Sequence, residues 1–324
     1  MNQNSDQEFS SFQGREQSGS KRLAVILAGG DGTRLRTLTR AIAGDERPKQ
    51  FCPILDDETL LDKTRRRIAL AIKPENTFFS LTKKHERFYS RPLWNVPEKQ
   101  KVVQPENRGT APAILYSLMR IVRSEPDATV AFFPSDHYFS DDDGFMQSVD
   151  SAFRTVSLEP NSVLLLGVEP EKPEVSYGWI EPSKSLFGDM PGAVSRVARF
   201  WEKPGKGAAK RLMMGGALWN SFVMVGRVET FLSMFERFLP EIYRMFVESF
   251  ASMEKTNEAA AVRSLYARMN ESNFSSDVLE RAVERLLVMR VGGVGWSDWG
   301  EPQRVLGTLS NLGIQTEWMR AVAA

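Results

Sequence analysis

Leu23-Ala24-Val25-Ile26-Leu27-Ala28-Gly29-Gly30-Asp31-Gly32-Thr33-Arg34 carries an unbroken apolar run straight into a cluster of glycines. A strand with one face in water alternates apolar and polar residues, so this run implies cover on both faces, as inside a parallel sheet. In an open α/β sheet, ligands bind at the carboxyl ends of such strands. Gly29, Gly30 and Gly32 let the backbone approach a polyanion and turn N–H groups toward phosphate oxygens, and Arg34 adds a forked cation for the same charge. The plain alternative is a sharp turn with one surface arginine. The loop is neither a P-loop, since no Lys-Ser or Lys-Thr follows at the required spacing, nor the G-x-G-x-x-G dinucleotide signature. Downstream, Arg47-Pro48-Lys49-Gln50-Phe51 offers a proline-stiffened turn from which Lys49 can return to the same anion.

Working outward, further β-prone runs stand at residues 77–81, 129–133, 163–168 and 287–291. They alternate with helical spacing, as in Leu60/Leu61/Thr64/Ile68/Ile72 and from Thr110 through Ile114 and Leu118 to Val122. Such alternation predicts an α/β fold, with a Rossmann-like, mostly parallel mixed sheet sandwiched by helices. Between about residues 174 and 230, shorter runs separated by Gly/Pro turns predict a small inserted sheet that lids the crevice. Residues 1–20 hold two Phe and no Leu, Ile or Val, and read as a polar, disordered tail. The expected organisation is that tail, one domain over 21–313, and a C-terminal end at 314–324 with no additional domain.

Composition narrows the function. With 42 Lys+Arg against 41 Asp+Glu, the formal charge is +1, which argues against a polybasic nucleic-acid or membrane binder. The single Cys52 excludes an internal disulfide or a Cys-rich metal cluster, and His85 and His137 are too few for an all-His zinc site. No run approaches the roughly 18 apolar residues of a bilayer span, and no secretory leader opens the sequence, so a cytoplasmic location is expected.

The glycine loop followed by Arg47-Pro48-Lys49-Gln50-Phe51 resembles the nucleotide-sugar pyrophosphorylases, the sugar-phosphate nucleotidyltransferases, and within them the mannose-1-phosphate guanylyltransferases. Later segments fall in the same order: Gln104-Pro105-Glu106-Asn107-Arg108-Gly109-Thr110-Ala111, Pro134-Ser135-Asp136-His137, Tyr177-Gly178-Trp179-Ile180-Glu181, Trp201-Glu202-Lys203-Pro204, Leu218-Trp219-Asn220-Ser221 and Gly295-Trp296-Ser297-Asp298-Trp299-Gly300. Each is weak alone, and their order over about residues 22–312 supplies the specificity. Two departures bear on the pocket. Gly109 stands where that family commonly has asparagine, and Phe222 where glycine is usual.

The resemblance implies the nucleotide-diphospho-sugar transferase fold and attack by a sugar-1-phosphate oxygen on the α-phosphorus of a nucleoside triphosphate. Two anions must meet, so cations, backbone donors and Mg²⁺ matter more than a protein nucleophile. Arg34 and Lys49 would be catalytic. Ala28, Gly29, Gly30, Gly32, Thr33, Gln104, Arg108, Gly109, Thr110 and Asp136 would bind the nucleotide. Gly178, Glu181, Glu202, Lys203 and Asn220 would bind the sugar phosphate, and Asp136 with Asp298 would hold the metal. The expected partners are GTP and mannose 1-phosphate, with a homodimer as the one assembly entertained. The rival readings are a nucleotidyltransferase using dTTP, UTP or CTP with another sugar, a nucleotide-sugar-dependent glycosyltransferase, and a non-catalytic GDP-sugar sensor.

Overall fold

In a computed structural model that describes residues 20–183, 190–252, 257–316 and 318–319, the first strand is covered on both faces. Strand β1 (Arg22–Leu27) sends Leu23 and Val25 into one core and Ala24 and Ile26 into a second on the opposite face. Side chains alternate along a strand, so an unbroken apolar run needs helices on both sides. Helices Thr110–Val122, Val228–Phe238, Pro240–Ser252 and Glu258–Ala267 pack on the first face. Helices Leu60–Ile68, Asp142–Leu158 and Lys206–Met214 pack on the second. Phe132 and Phe133 are split between the two cores in the same way, and truncating either to Ala would cost about 3–5 kcal/mol.

The remaining strands are β2 (Thr77–Thr82), β3 (Lys101–Gln104), β4 (Thr129–Pro134), β5 (Val163–Val168), β6 (Gly178–Pro182), β7 (Val194–Glu202), β8 (Leu218–Arg227) and β9 (Leu286–Val291). They form one sheet in the order β3-β2-β1-β4-β8-β5-β9-β7-β6. The β3-β2-β1-β4 part is parallel, as are β5 and β9, and β8 runs antiparallel between β4 and β5. The carboxyl ends of β1 to β5 and β9 therefore share one edge, and the loops leaving them meet there.

The expected inserted sheet is present as β6 and β7, but it is not separate. β6 pairs with the start of β8 (Trp179 with Trp219, Ile180 with Leu218), and β7 pairs with β9 over Val194–Arg196. The reason is the length of β8. Its residues 224–227 pair with β4 while residues 218–219 reach β6, with Phe222 at φ 59° between them.

Except for Ser20, the expected tail 1–20 lies outside the described residues. Of the expected end, Ile314, Trp318 and Met319 pack against a third cluster around Leu35, Leu38 and Trp299; residues 317 and 320–324 lie outside the described ones. Among the described residues, no helix is long and apolar enough to cross a membrane.

Candidate active site

The loop after β1 is pinned by its carbonyls. Gln50, itself buried, donates from Nε2 to the oxygens of Ala28 (3.1 Å) and Gly30 (2.8 Å), and Thr82 Oγ1 donates to the Gly29 oxygen at 2.9 Å. Three acceptors are thus satisfied by protein, and no lone pair of theirs need face an incoming anion. Gly32 completes the turn at φ 58°, and a Cβ there would stand 3.0 Å from the Lys49 nitrogen. No L side chain fits without strain. Asp31 ties the loop sideways to Lys84 (2.5 Å) and His85 (3.2 Å).

Arg34, Lys49, Asp136 and Asp298 line one cavity of about 260 Å³, together with Gly32, Thr33, His137 and Gly300. Arg34 carries no ion pair among the described residues, so its charge is free for a ligand. Lys49 is held: its Nζ donates to the backbone oxygens of Asp298 (2.5 Å) and Trp299 (3.1 Å) and lies 3.2 Å from Asp136 Oδ2. Trp299 is at φ 43°, a costly conformation for a tryptophan. Burial pushes the Asp298 carboxyl up, but His137, Lys49 and Arg304 around it win and hold it below its ordinary value. Oδ1 of Asp298 accepts from Tyr177 Oη (2.9 Å), the Gly300 N–H (2.8 Å) and Arg304 Nη1 (2.6 Å). Oδ2 carries no hydrogen bond among the described residues.

Asp136 and His137 also line a second cavity of about 330 Å³, bounded by Gly29, Gly30, Gly109, Thr110, Phe222 and Asn273. Gly109, at φ 90°, begins the helix Thr110–Val122 and leaves no room for a side chain: a Cβ would meet the Ser272 oxygen at 2.2 Å. The segment that fills this space docks by three bonds, from Ser272 N to the Arg108 oxygen, from Ala111 N to the Ser272 oxygen, and from Phe274 N to Thr110 Oγ1. Burial pushes His137 down to about 4, so the imidazole is neutral near pH 7; its Nδ1 accepts the Trp296 indole N–H at 3.2 Å.

The sugar-side residues divide. A Cβ on Gly178 would lie 3.1 Å from Glu202 Oε2 and 3.3 Å from the Asn220 Cβ, so these three are neighbours. Lys203, at φ 49°, pairs with Glu202 at 3.2 Å. Asn220 Oδ1 accepts the Phe222 N–H at 3.0 Å, and Phe222 lines the second cavity; Gly178, Glu202, Lys203 and Asn220 themselves line neither cavity.

Four expected residues either stand apart or are already engaged. Glu181 is an odd number of positions along β6 from Gly178, so it takes the opposite face and lines a different cavity with Trp201 and Arg211. Ala28 is fully buried, its N–H bonded to Ser80 and its oxygen to Gln50, leaving no free donor for a nucleotide. Gln104 borders the second cavity, but its amide is engaged by Ser80, Leu81 and Tyr266. Arg108 turns away to Glu106 and lines neither cavity. Residues not foreseen in site roles are Gln50, Asn273, Tyr177 and Arg304. Gln50 and Tyr177 had a sequence signal, their places directly after Lys49 and directly before Gly178.

The family model for nucleotidyl transferases matches residues 23–312. The chain belongs to the nucleotidyl transferase family. It is 31% identical over 283 residues to the alginate biosynthesis protein AlgA of Pseudomonas fluorescens, covering 86% of this chain and 56% of that protein. It is 26% identical to the mannose-1-phosphate guanylyltransferase of Escherichia coli, covering 87% of this chain and 58% of that one. The chain thus spans little more than half the length of these curated relatives. A crystal structure from Thermus thermophilus, described as a mannose-1-phosphate geranyltransferase, superposes with a TM-score of 0.73 at 28% identity, over 88% of this chain and 79% of that one.

Proposed function

We propose that this chain transfers GMP from GTP to mannose 1-phosphate, giving GDP-mannose and pyrophosphate. The observation that carries the reading is the convergence of Arg34, Lys49, Asp136 and Asp298 on one cavity that adjoins, through Asp136 and His137, a second one at the same edge of the sheet. Two anions must approach, and the barrier falls with every positive or dipolar group fixed before they arrive. Arg34 receives the triphosphate with its unpaired guanidinium. Lys49, locked by two carbonyls, meets charge on the departing pyrophosphate by turning its third N–H from Asp136. The N–H groups of the pinned loop face the nucleotide, and Gly109 and Thr110 border the same cavity. Glu202, Lys203, Gly178 and Asn220 take the sugar phosphate, with the Lys203 ammonium exchanging its Glu202 partner for phosphate.

The donor set fits Mg²⁺: two hard carboxylates border the cavity, one of them held ionised with Oδ2 unengaged, and phosphate and water oxygens would supply the remaining ligands. When bound by Asp136 and Asp298, that ion would neutralise the triphosphate and polarise the α-phosphorus. The phosphate nucleophile is already ionised, so no general base is required, in keeping with a neutral His137. The test is pyrophosphate release from purified protein with GTP, mannose 1-phosphate and Mg²⁺, run against dTTP, UTP and CTP in competition. Turnover with another triphosphate and none with GTP would overturn the base assignment, and no turnover with any pair would overturn the reading.

A further inference from the structure

The two oxygens of Asp298 stand in different surroundings. Oδ1 takes three donors, Tyr177 Oη at 2.9 Å, the Gly300 N–H at 2.8 Å and Arg304 Nη1 at 2.6 Å. A carboxylate oxygen offers two lone pairs, so these donors saturate it. Oδ2 carries no hydrogen bond among the described residues and is not walled in, the side chain being 16% exposed. Gly300 keeps the space before it open: a Cβ there would stand 2.4 Å from Oδ2 and 3.1 Å from Arg34 Nη2. Asp298 therefore presents a single oxygen to the cavity that it shares with Arg34 and Asp136.

Both side-chain donors on Oδ1 are themselves held. Arg304 lies in the first turn of the last helix, Pro302–Asn311, where the helix dipole disfavours a cation, and its side chain is buried. Its planar fork is used on both prongs. While Nη1 holds Asp298, Nη2 donates to Ser176 Oγ at 2.5 Å and lies 3.0 Å from Glu174, and the guanidinium carbon sits 4.5 Å from the centre of the Tyr177 ring. That ring in turn packs 5.1 Å from both Trp219 and Trp296. Neither donor can leave Oδ1 without breaking contacts elsewhere.

We propose that Arg304 and Tyr177 are positioning residues that make the site select Mg²⁺ over Ca²⁺, by withholding Oδ1 of Asp298 from the cation. The inference rests on the metal role proposed for Asp298. Mg²⁺ is small and demands near-octahedral geometry, which the narrow bite of a chelating carboxylate distorts. Ca²⁺ takes roughly six to eight oxygens in flexible geometry and gains from a carboxylate that binds through both. An Asp298 reduced to one oxygen serves the first ion and short-changes the second. Asp136 has no such lock among the described residues, with Lys49 3.2 Å from its Oδ2 and His137 3.9 Å from its Oδ1. The discrimination therefore falls on Asp298.

The experiment loads the full chain with Mn²⁺, follows free Mn²⁺ by its electron paramagnetic resonance signal, and displaces it with Mg²⁺ or Ca²⁺ in the absence of GTP and sugar. The two competitors carry the same charge, so the ratio of their affinities cancels a change in the charge of the site and reports its geometry. Arg304→Lys keeps the positive charge but loses the fork. Tyr177→Phe keeps the ring and deletes the hydroxyl. The expected result for Arg304→Lys is a rise of about tenfold in Ca²⁺ affinity relative to Mg²⁺, the low end of what removing a partner of a metal-binding carboxylate does. For Tyr177→Phe, which leaves the Gly300 and Arg304 donors on Oδ1, the rise should be about threefold. Circular dichroism checks that the variants fold; should Arg304→Lys lose the parent's spectrum, Tyr177→Phe decides alone. An unchanged ratio in the deciding variant would overturn the proposal, as would a parent that binds no Mn²⁺. Turnover is read separately, so pyrophosphate release by a chain whose ratio stays fixed would sink this inference and leave the guanylyltransferase reading standing.

Discussion

The phosphate side and the sugar side of the candidate site are built differently. On the phosphate side, groups far apart in sequence lock one another: Lys49 is fastened to the carbonyls of Asp298 and Trp299, and Gln50 to those of Ala28 and Gly30. On the sugar side, Lys203 has a side chain 58% exposed and, among the described residues, a single carboxylate partner, on a backbone that puts Lys203 and Phe222 at positive φ. On the proposed reading, charge placement is rigid where the bond would change, while recognition would rest on side chains that can exchange partners.

The sharpest way to break this contrast is on the rigid side. Lys49→Ala should lower kcat by about 10²–10³-fold, the usual loss on removing one preorganised charge donor, with KM for mannose 1-phosphate little changed in steady-state assays. A fall in KM-limited rate alone would show that Lys49 binds without assisting the chemical step. Asp298→Asn, which keeps the shape but weakens the hold of Arg304 and the affinity for a cation, should cost roughly 10²-fold and shift the Mg²⁺ requirement upward; an unchanged Mg²⁺ titration would remove Asp298 from the metal site.

Next comes pH. Burial depresses His137 to about 4, so the folded state prefers the neutral ring. Its contribution is present above the ordinary histidine value of about 6.5 and is lost as pH falls toward 4, by roughly 3 kcal/mol at most. Urea unfolding between pH 7 and 4 should show this slope in the parent and a shallower one in His137→Asn. The smallest effect belongs to the sugar side. Phe222→Gly relieves a strained φ worth about 1–3 kcal/mol but loses ring packing, so stability should move little. Its signature is a severalfold change in KM for mannose 1-phosphate at nearly constant kcat. A large drop in kcat would place Phe222 on the rigid side.

Particular residues show what the sequence made legible. The run from Leu23 to Leu27 announced a strand covered on both faces because burial on both sides leaves no polar position. The carboxyl-edge position of Asp136 followed from the apolar run before it. β3 was not foreseen, since its four residues include Lys101 and Gln104 and its burial comes from neighbours. Glu181 went astray because face selection depends on where a strand starts, which its flanks left open. The roles of Tyr177 and Arg304 were invisible, because they arise from contacts across 121 and 6 residues, respectively, to one carboxylate. Gly109 reads differently in three dimensions: its lack of a side chain is demanded by Ser272, more than a hundred and sixty positions along the chain, and not by the nucleotide.

The placement of β8 between β4 and β5 has a consequence for folding order. Until residues 218–227 exist, β4 presents a bare row of amides and carbonyls, and until residues 286–291 exist, β5 lacks its parallel neighbour. The parallel block β3-β2-β1-β4 therefore waits, with an aggregation-prone border, for a late segment to seal it. Assembly should be slow and all-or-none, and fragments ending soon after Pro134 should aggregate instead of surviving as miniature nucleotide binders.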